Sequence, residues 1–187
     1  MSFVHTVRPA AMLVAACLLW ASTSVRPAEV ASAAEIDAKV DLALEQLLRE
    51  SEVARAVDEK AVAVLVFPNI VKGGFGIGGQ YGEGALRKGG ETVGYYNIAA
   101  ASLGLQIGAQ SFSEAIFFMT EDALKYLDSS KGFEIGADAN VALANEGLGY
   151  DVTTSTVQDP IIAFVFGQQG LMAGLTIEGS KITRIEK

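Results

Sequence analysis

Between Val66 and Gly84 the chain reads VFPNIVKGGFGIGGQYGEG, with glycine recurring at alternate positions and large apolar residues between. Successive side chains of a strand point to opposite faces, so Phe75 and Ile77 fall on one face while Gly74, Gly76 and Gly78 leave the other bare. A bare face admits another backbone at very short range. Each glycine also weakens a strand, so this many in one ribbon mark bulges, tight corners or a closely approaching surface. The pattern predicts a shape and specifies no reaction.

The chain has 187 residues, half of them hydrophobic, which suffices for one domain with a sizeable core. Residues 1–33 read as an export leader, with Arg8 ahead of the apolar run Ala10 to Ala21, which is too short to span a bilayer. Ala31-Ser32-Ala33 offers a cleavage site before Ala34. A second reading is open at Leu13-Val14-Ala15-Ala16-Cys17, where small residues before a cysteine suit lipidation of Cys17, and a third leaves the leader as a retained anchor. All three place the domain, residues 34–187, outside the cytoplasm, in the periplasm or held on the periplasmic side of a membrane.

The only cysteine, Cys17, and the only histidine, His5, lie in that leader. The remainder therefore lacks a disulfide, a thiolate, an imidazole base and the usual nitrogen and sulfur ligands of zinc. From Ala34 onward there are 12 basic and 21 acidic residues, a formal charge of −9. That sign opposes nucleic-acid binding and attachment to anionic bilayers through bulk charge.

Glu35 to about Val57 carries Ile36, Val40, Leu44, Leu47 and Leu48 at helical spacing, predicting an amphipathic helix packed on the core. Ala61 to Phe67 reads as a buried strand closed by Pro68. Further strands are expected near 73–79, 81–86, 92–99, 103–109, 115–119, 133–143, 161–166 and 171–177, with Gly89-Gly90 as a hairpin turn. A short helix is expected over Glu121 to Leu127, capped by Thr120. The fold class is α+β: a curved, mainly antiparallel sheet or partial barrel with an N-terminal helix and one further short helix against it.

Several apparent motifs dissolve on inspection. Gly74 to Gly79 matches G-x-G-x-x-G, yet Gln80-Tyr81-Gly82-Glu83-Gly84 cannot open the helix that a dinucleotide site needs. Ala100-Ala101-Ser102-Leu103-Gly104 is a degenerate nucleophile elbow without a histidine to serve it. Asp138-Ala139-Asn140 begins like a calcium loop, but Ala142, Leu143 and Gly149 stand where an oxygen ligand, a glycine and a glutamate are required. No catalytic residue, cofactor, nucleotide or metal is expected. If the ribbon folds back near Gln80, Lys72 lies across from Arg87 and Lys88 and the three form a positive spot fit for a phosphate headgroup.

Phe67-Pro68, Lys72 to Gly76, Gly82-Glu83-Gly84, Gly104 to Gln110, Gly136-Ala137-Asp138 and Gly170 to Gly179 together resemble, in order, the blocks of the SYLF domain. The resemblance runs from about Ala43 to the C-terminus. It implies binding of phospholipids, and its eukaryotic members combine the domain with Src-homology or FYVE modules. Those members meet membranes through a basic N-terminal region, whereas this helix carries Asp37, Asp41, Glu45 and Glu50 beside Lys39 and Arg49. What the resemblance then implies is an exported, non-enzymatic phospholipid-binding domain at the bacterial cell envelope. Lys72, Arg87 and Lys88 would hold headgroup phosphate, and the N-terminal helix would offer apolar contact. The alternative is an assembly module whose glycine-rich sheet binds itself or an envelope protein.

Overall fold

The computed structural model describes residues 31–129, 133–134, 142–145, 159–170 and 179–187. Residues 1–30 of the expected leader, with Cys17, lie outside these residues, as do Asp138, the strand expected at 171–177 and most of the strand expected at 133–143. The elements in chain order are helices α1 (Ala33–Glu50) and α2 (Glu52–Asp58), strands β1 (Ala63–Lys88) and β2 (Glu91–Phe118), and helix α3 (Glu121–Ser129). Strands β3 (Phe133–Glu134), β4 (Ala142–Asn145), β5 (Ile161–Gly170) and β6 (Lys181–Ile185) follow.

The helix expected to run to Val57 breaks at Ser51, whose backbone is extended and whose hydroxyl accepts from the Ala54 amide at 3.1 Å. A serine side chain competes with the helix for backbone partners and so starts a new one. Arg55 then donates to the carbonyls of Leu48 (2.6 Å) and Arg49 (3.2 Å), which α1 leaves without intrahelical partners.

The six expected strands between 61 and 119 are two. β1 and β2 form one long antiparallel ribbon, joined at Gly89 (φ 60°) and Gly90 (φ 86°), the left-handed pair that a tight hairpin requires. Pro68 does not end a strand: it sits where the register shifts between Phe67 and Ile70, and a bulge tolerates the missing amide donor. Along its other edge β2 pairs with β6 at 95–99 and with β5 at 110–118; β3 extends β6, and β4 joins β5 in the only parallel pairing among the described residues. Among the described strands the sheet is open and does not close into a barrel.

The ribbon turns a corner at its glycines. A second register shift falls between Phe75 and Ile77, where a Cβ on Gly74 would stand 2.4 Å from the Cα of Gly78. Beyond the corner β1 crosses back over its own first half, with Gly82 against Asn69 and Ile70 and Gly84 against Val66 and Phe67.

This coiling gives the sheet an inner and an outer face. Leu65, Phe67, Ile70, Tyr96, Ile98, Phe112, Ile116 and Phe118 fill the inner one, with Leu127 of α3. Val64, Val66, Ala115, Phe117, Phe164 and Phe166 on the outer face take Ile36, Val40 and Leu47 of α1 and Val57 of α2. Phe117 and Phe164 meet edge to face, 5.6 Å between centroids. Burial on both faces explains why 61–67 is apolar without alternation.

Candidate functional site

The three cations expected to hold phosphate are not brought together. β1 does not hairpin at Gln80; it doubles back face to face, after the corner. Lys72 is opposite Gln110 on the inner face and 7% exposed. Arg87 lies beside Val62, Ala63 and Val64, some eight residues up the strand from Lys72, or roughly 26 Å of strand length. The reason for the difference is the glycine corner, which turns the ribbon over itself and prevents its halves from pairing edge to edge.

Arg87 and Lys88 serve the scaffold. Arg87 donates to Thr92 Oγ1, the Asp37 carbonyl (3.2 Å) and Asp41 Oδ1, so it fastens α1 to the hairpin end of the ribbon. Lys88 pairs with both carboxylate oxygens of Glu121 at 2.9 and 3.0 Å, which ties α3 to the same end. Burial alone would raise the Asp37 carboxyl, but hydrogen bonds from Thr92 (2.7 Å) and Tyr95 (2.8 Å) and the nearby Arg87 outweigh it and hold the group below its ordinary range. A pocket of about 360 Å³ opens beside this latch, between Asp41 and Leu44 of α1, Asp58 and the Gly89-Gly90 turn.

Other candidates also find structural places. Gly74 to Gly79 stays in β1 and opens no helix. Ser102 is in the middle of β2 opposite Gly78, not on a strand-to-helix turn. Glu83 takes hydrogen bonds from Tyr81 and Lys187, both at 2.8 Å; these overcome the upward push of burial and lower its pKa, the reverse of what a general acid needs. Among the described residues no three carboxylate, histidine or cysteine side chains group to hold a metal, and no helix is long and apolar enough to cross a membrane.

The surface that stands out is the outer face at the corner. The footprint of α1 and α2 ends at Val66, Ala85, Ala115 and Phe166. Past it, alternation through the bulge keeps Val71, Phe75, Ile77 and Tyr81 on one uncovered strip, 53, 81, 71 and 50% exposed. A shallow groove of about 460 Å³, lined by Asn69, Val71, Ala109, Gln110, Ser111 and Gln169, runs beside it. In residues 71–82 and the paired 98–111 the only charged side chain is Lys72, and it is turned inward. The sequence assigns Phe75 and Ile77 to a common face; that no described helix covers this face is a property of where α1 ends.

Residues 99–187, which begin in the middle of β2 and include β5 and β6, match the family model Ysc84, described as "Las17-binding protein actin regulator". No curated protein matches the chain. That match falls on the same family that the ordered glycine blocks from Phe67 to Gly179 resemble: residues 99–187 are similar to the SYLF (Ysc84) domain family.

Proposed function

We propose that this protein is an exported, non-catalytic phospholipid-binding domain that works at the bacterial cell envelope by docking on a membrane surface. The observation that carries the reading is the uncovered apolar strip Val71, Phe75, Ile77 and Tyr81, in a region whose one charge is buried. Contiguous exposed apolar side chains on a soluble fold mark an interaction site. The leader pattern of residues 1–33 supports export, and the absence of histidine and cysteine from Ala34 onward supports a binding role over a catalytic one.

The test is flotation of the chain from Ala31 onward, which contains every described element and both cores, with phospholipid vesicles. Co-flotation is expected. A second reading, docking of a protein partner on the same sheet, draws on the family description as a binding protein. A complex or self-association detected by light scattering, without co-flotation, would favour it.

A further inference from the structure

Resting on the lipid-binding reading, we propose that the ribbon corner is an insertion wedge: Phe75 and Ile77 enter the acyl region of the bilayer, so the partner is a loosely packed, zwitterionic lipid surface and not an anionic headgroup.

Three observations lead there. First, the corner presents its apolar side chains at the outside of a bend. The register slips between Phe75 and Ile77, Gly74 and Gly78 close the inside of the turn, and the two side chains are the most exposed large hydrophobics among the described residues. Because the backbone at the bend is locked by glycine contacts, the side chains are held out without a mobile loop to order on binding, which lowers the cost of association.

Second, the electrostatics oppose a headgroup mechanism. The chain carries a formal charge of −8. Arg87 and Lys88, the exposed-side cations nearest the hairpin turn, are engaged by Asp37, Asp41 and Glu121. At the margins of the strip Glu83 pairs with Lys187 at 2.8 Å, and Lys181 is matched in register by Glu134 of β3. Among the described residues no cluster of four or more basic side chains, the pattern that reads anionic lipid, forms there.

Third, the size of the patch selects the occupant. Four large side chains, each half to four-fifths exposed, present on the order of 400 Å² of apolar surface. A stable dimer needs about 800 Å² per partner. The strip is too small for a second copy to hold by itself but ample for a shallow wedge, since insertion gains free energy per side chain without needing a complementary surface.

The only tryptophan of the sequence, Trp20, precedes Ala31, which offers a direct probe. In the chain from Ala31, Phe75→Trp is then a single indole at the corner. Its emission is expected to shift to the blue on adding small vesicles of unsaturated phosphatidylcholine, and to be quenched by lipid brominated along its acyl chains. Both changes should persist in high salt and weaken on saturated, tightly packed vesicles. The double variant Phe75→Ser, Ile77→Ser keeps its thermal midpoint, since both side chains are in solvent, and loses at least about tenfold in vesicle partitioning. Leu42→Ser, on the outward side of α1, leaves partitioning unchanged.

If the wild-type chain binds no vesicle at all, the lipid-binding reading itself fails. If it binds only anionic vesicles, releases in salt, or retains full binding in the double variant, the domain is a lipid binder and the wedge is wrong. A mass that doubles with concentration and reverts in the double variant would make the corner a self-association face and overturn the wedge as well.

Discussion

Gly84 lies against Val66 so closely that a Cβ on it would stand 2.1 Å from the Val66 carbonyl oxygen and 2.7 Å from a ring carbon of Phe67. Both neighbours are fully buried, so neither can retreat cheaply. Gly84→Ala is therefore expected to cost about 3 kcal/mol or more in urea unfolding, at or above the usual range for overpacking. Gly79→Ala is its control, since there a Cβ meets only the Ala100 carbonyl at 3.4 Å, an ordinary contact. Equal stability of the two variants would mean that β1 does not cross over itself.

That crossing separates what the sequence reveals from what it hides. Alternating glycine at 74, 76, 78, 82 and 84 announces a backbone at close range, and the Gly89-Gly90 turn and the α1 face of Ile36, Val40 and Leu47 are equally legible. The identity of the approaching backbone is not legible, because a strand packing on itself leaves the same bare positions as a neighbour would. Hence Lys72 and Arg87 look adjacent in a flat hairpin and part in a coiled one. Strand length is hidden for a related reason: glycine and Pro68 read as breakers, while pairing with β2 carries the ribbon through them as bulges.

Glu114 escapes sequence reading, since it falls just before the apolar run that marks its strand. It points to the inner face, opposite Phe67 and flanked along β2 by Phe112 and Ile116. It is fully buried, and neither carboxylate oxygen has a hydrogen-bond partner. Burial pushes its pKa up to about 8 from an ordinary 4.5, so the folded protein keeps it protonated at neutral pH. A raised carboxyl stabilises the fold below the unfolded value and loses that contribution as pH climbs from about 4.5 to about 8. Glu114→Gln keeps the shape and removes the proton. The variant is expected to match the wild type near pH 4 and to exceed it by a few kcal/mol above pH 8, because each tenfold change in the protonation equilibrium is worth about 1.4 kcal/mol. Parallel stability curves across that window would show that the carboxyl has a partner.

Asp37 acts in the opposite sense. Its carboxylate accepts from Thr92 and Tyr95 beside Arg87, and its pKa is held below the ordinary 3.8. Its contribution is then full above that value and lost as acid drives the pH through the lower folded value. Asp37→Ala strands two hydroxyl donors and loosens α1 from the ribbon, which is expected to cost about 2 kcal/mol at pH 7. The difference from wild type should shrink below about pH 3.8. Asp41→Ala, at an exposed carboxylate on the same arginine, is expected to cost under about 1 kcal/mol. Urea midpoints at neutral and acid pH test both, and a larger effect at Asp41 would assign the latch to the wrong carboxylate.

The start of α1 falls at the cleavage point expected from the sequence. Ser32 caps the helix by accepting from the Glu35 amide at 3.2 Å, and Lys187 donates to the Ala31 carbonyl at 3.0 Å, so the residues just before the expected cleavage point hold both ends of the domain. Cleavage before Ala34 would remove the cap and put a free ammonium at the positive end of the helix dipole, each an unfavourable change. A chain beginning at Ala34 is expected to be about 1 kcal/mol less stable than one beginning at Ala31, with the deficit largest where the new amino group is charged, below about pH 8. Acetylating that N-terminus should recover part of the loss, because it removes the charge without restoring the serine. Equal urea midpoints for the two chains would mean that Ser32 contributes nothing to the helix, and that removal of the leader leaves the folded domain energetically untouched.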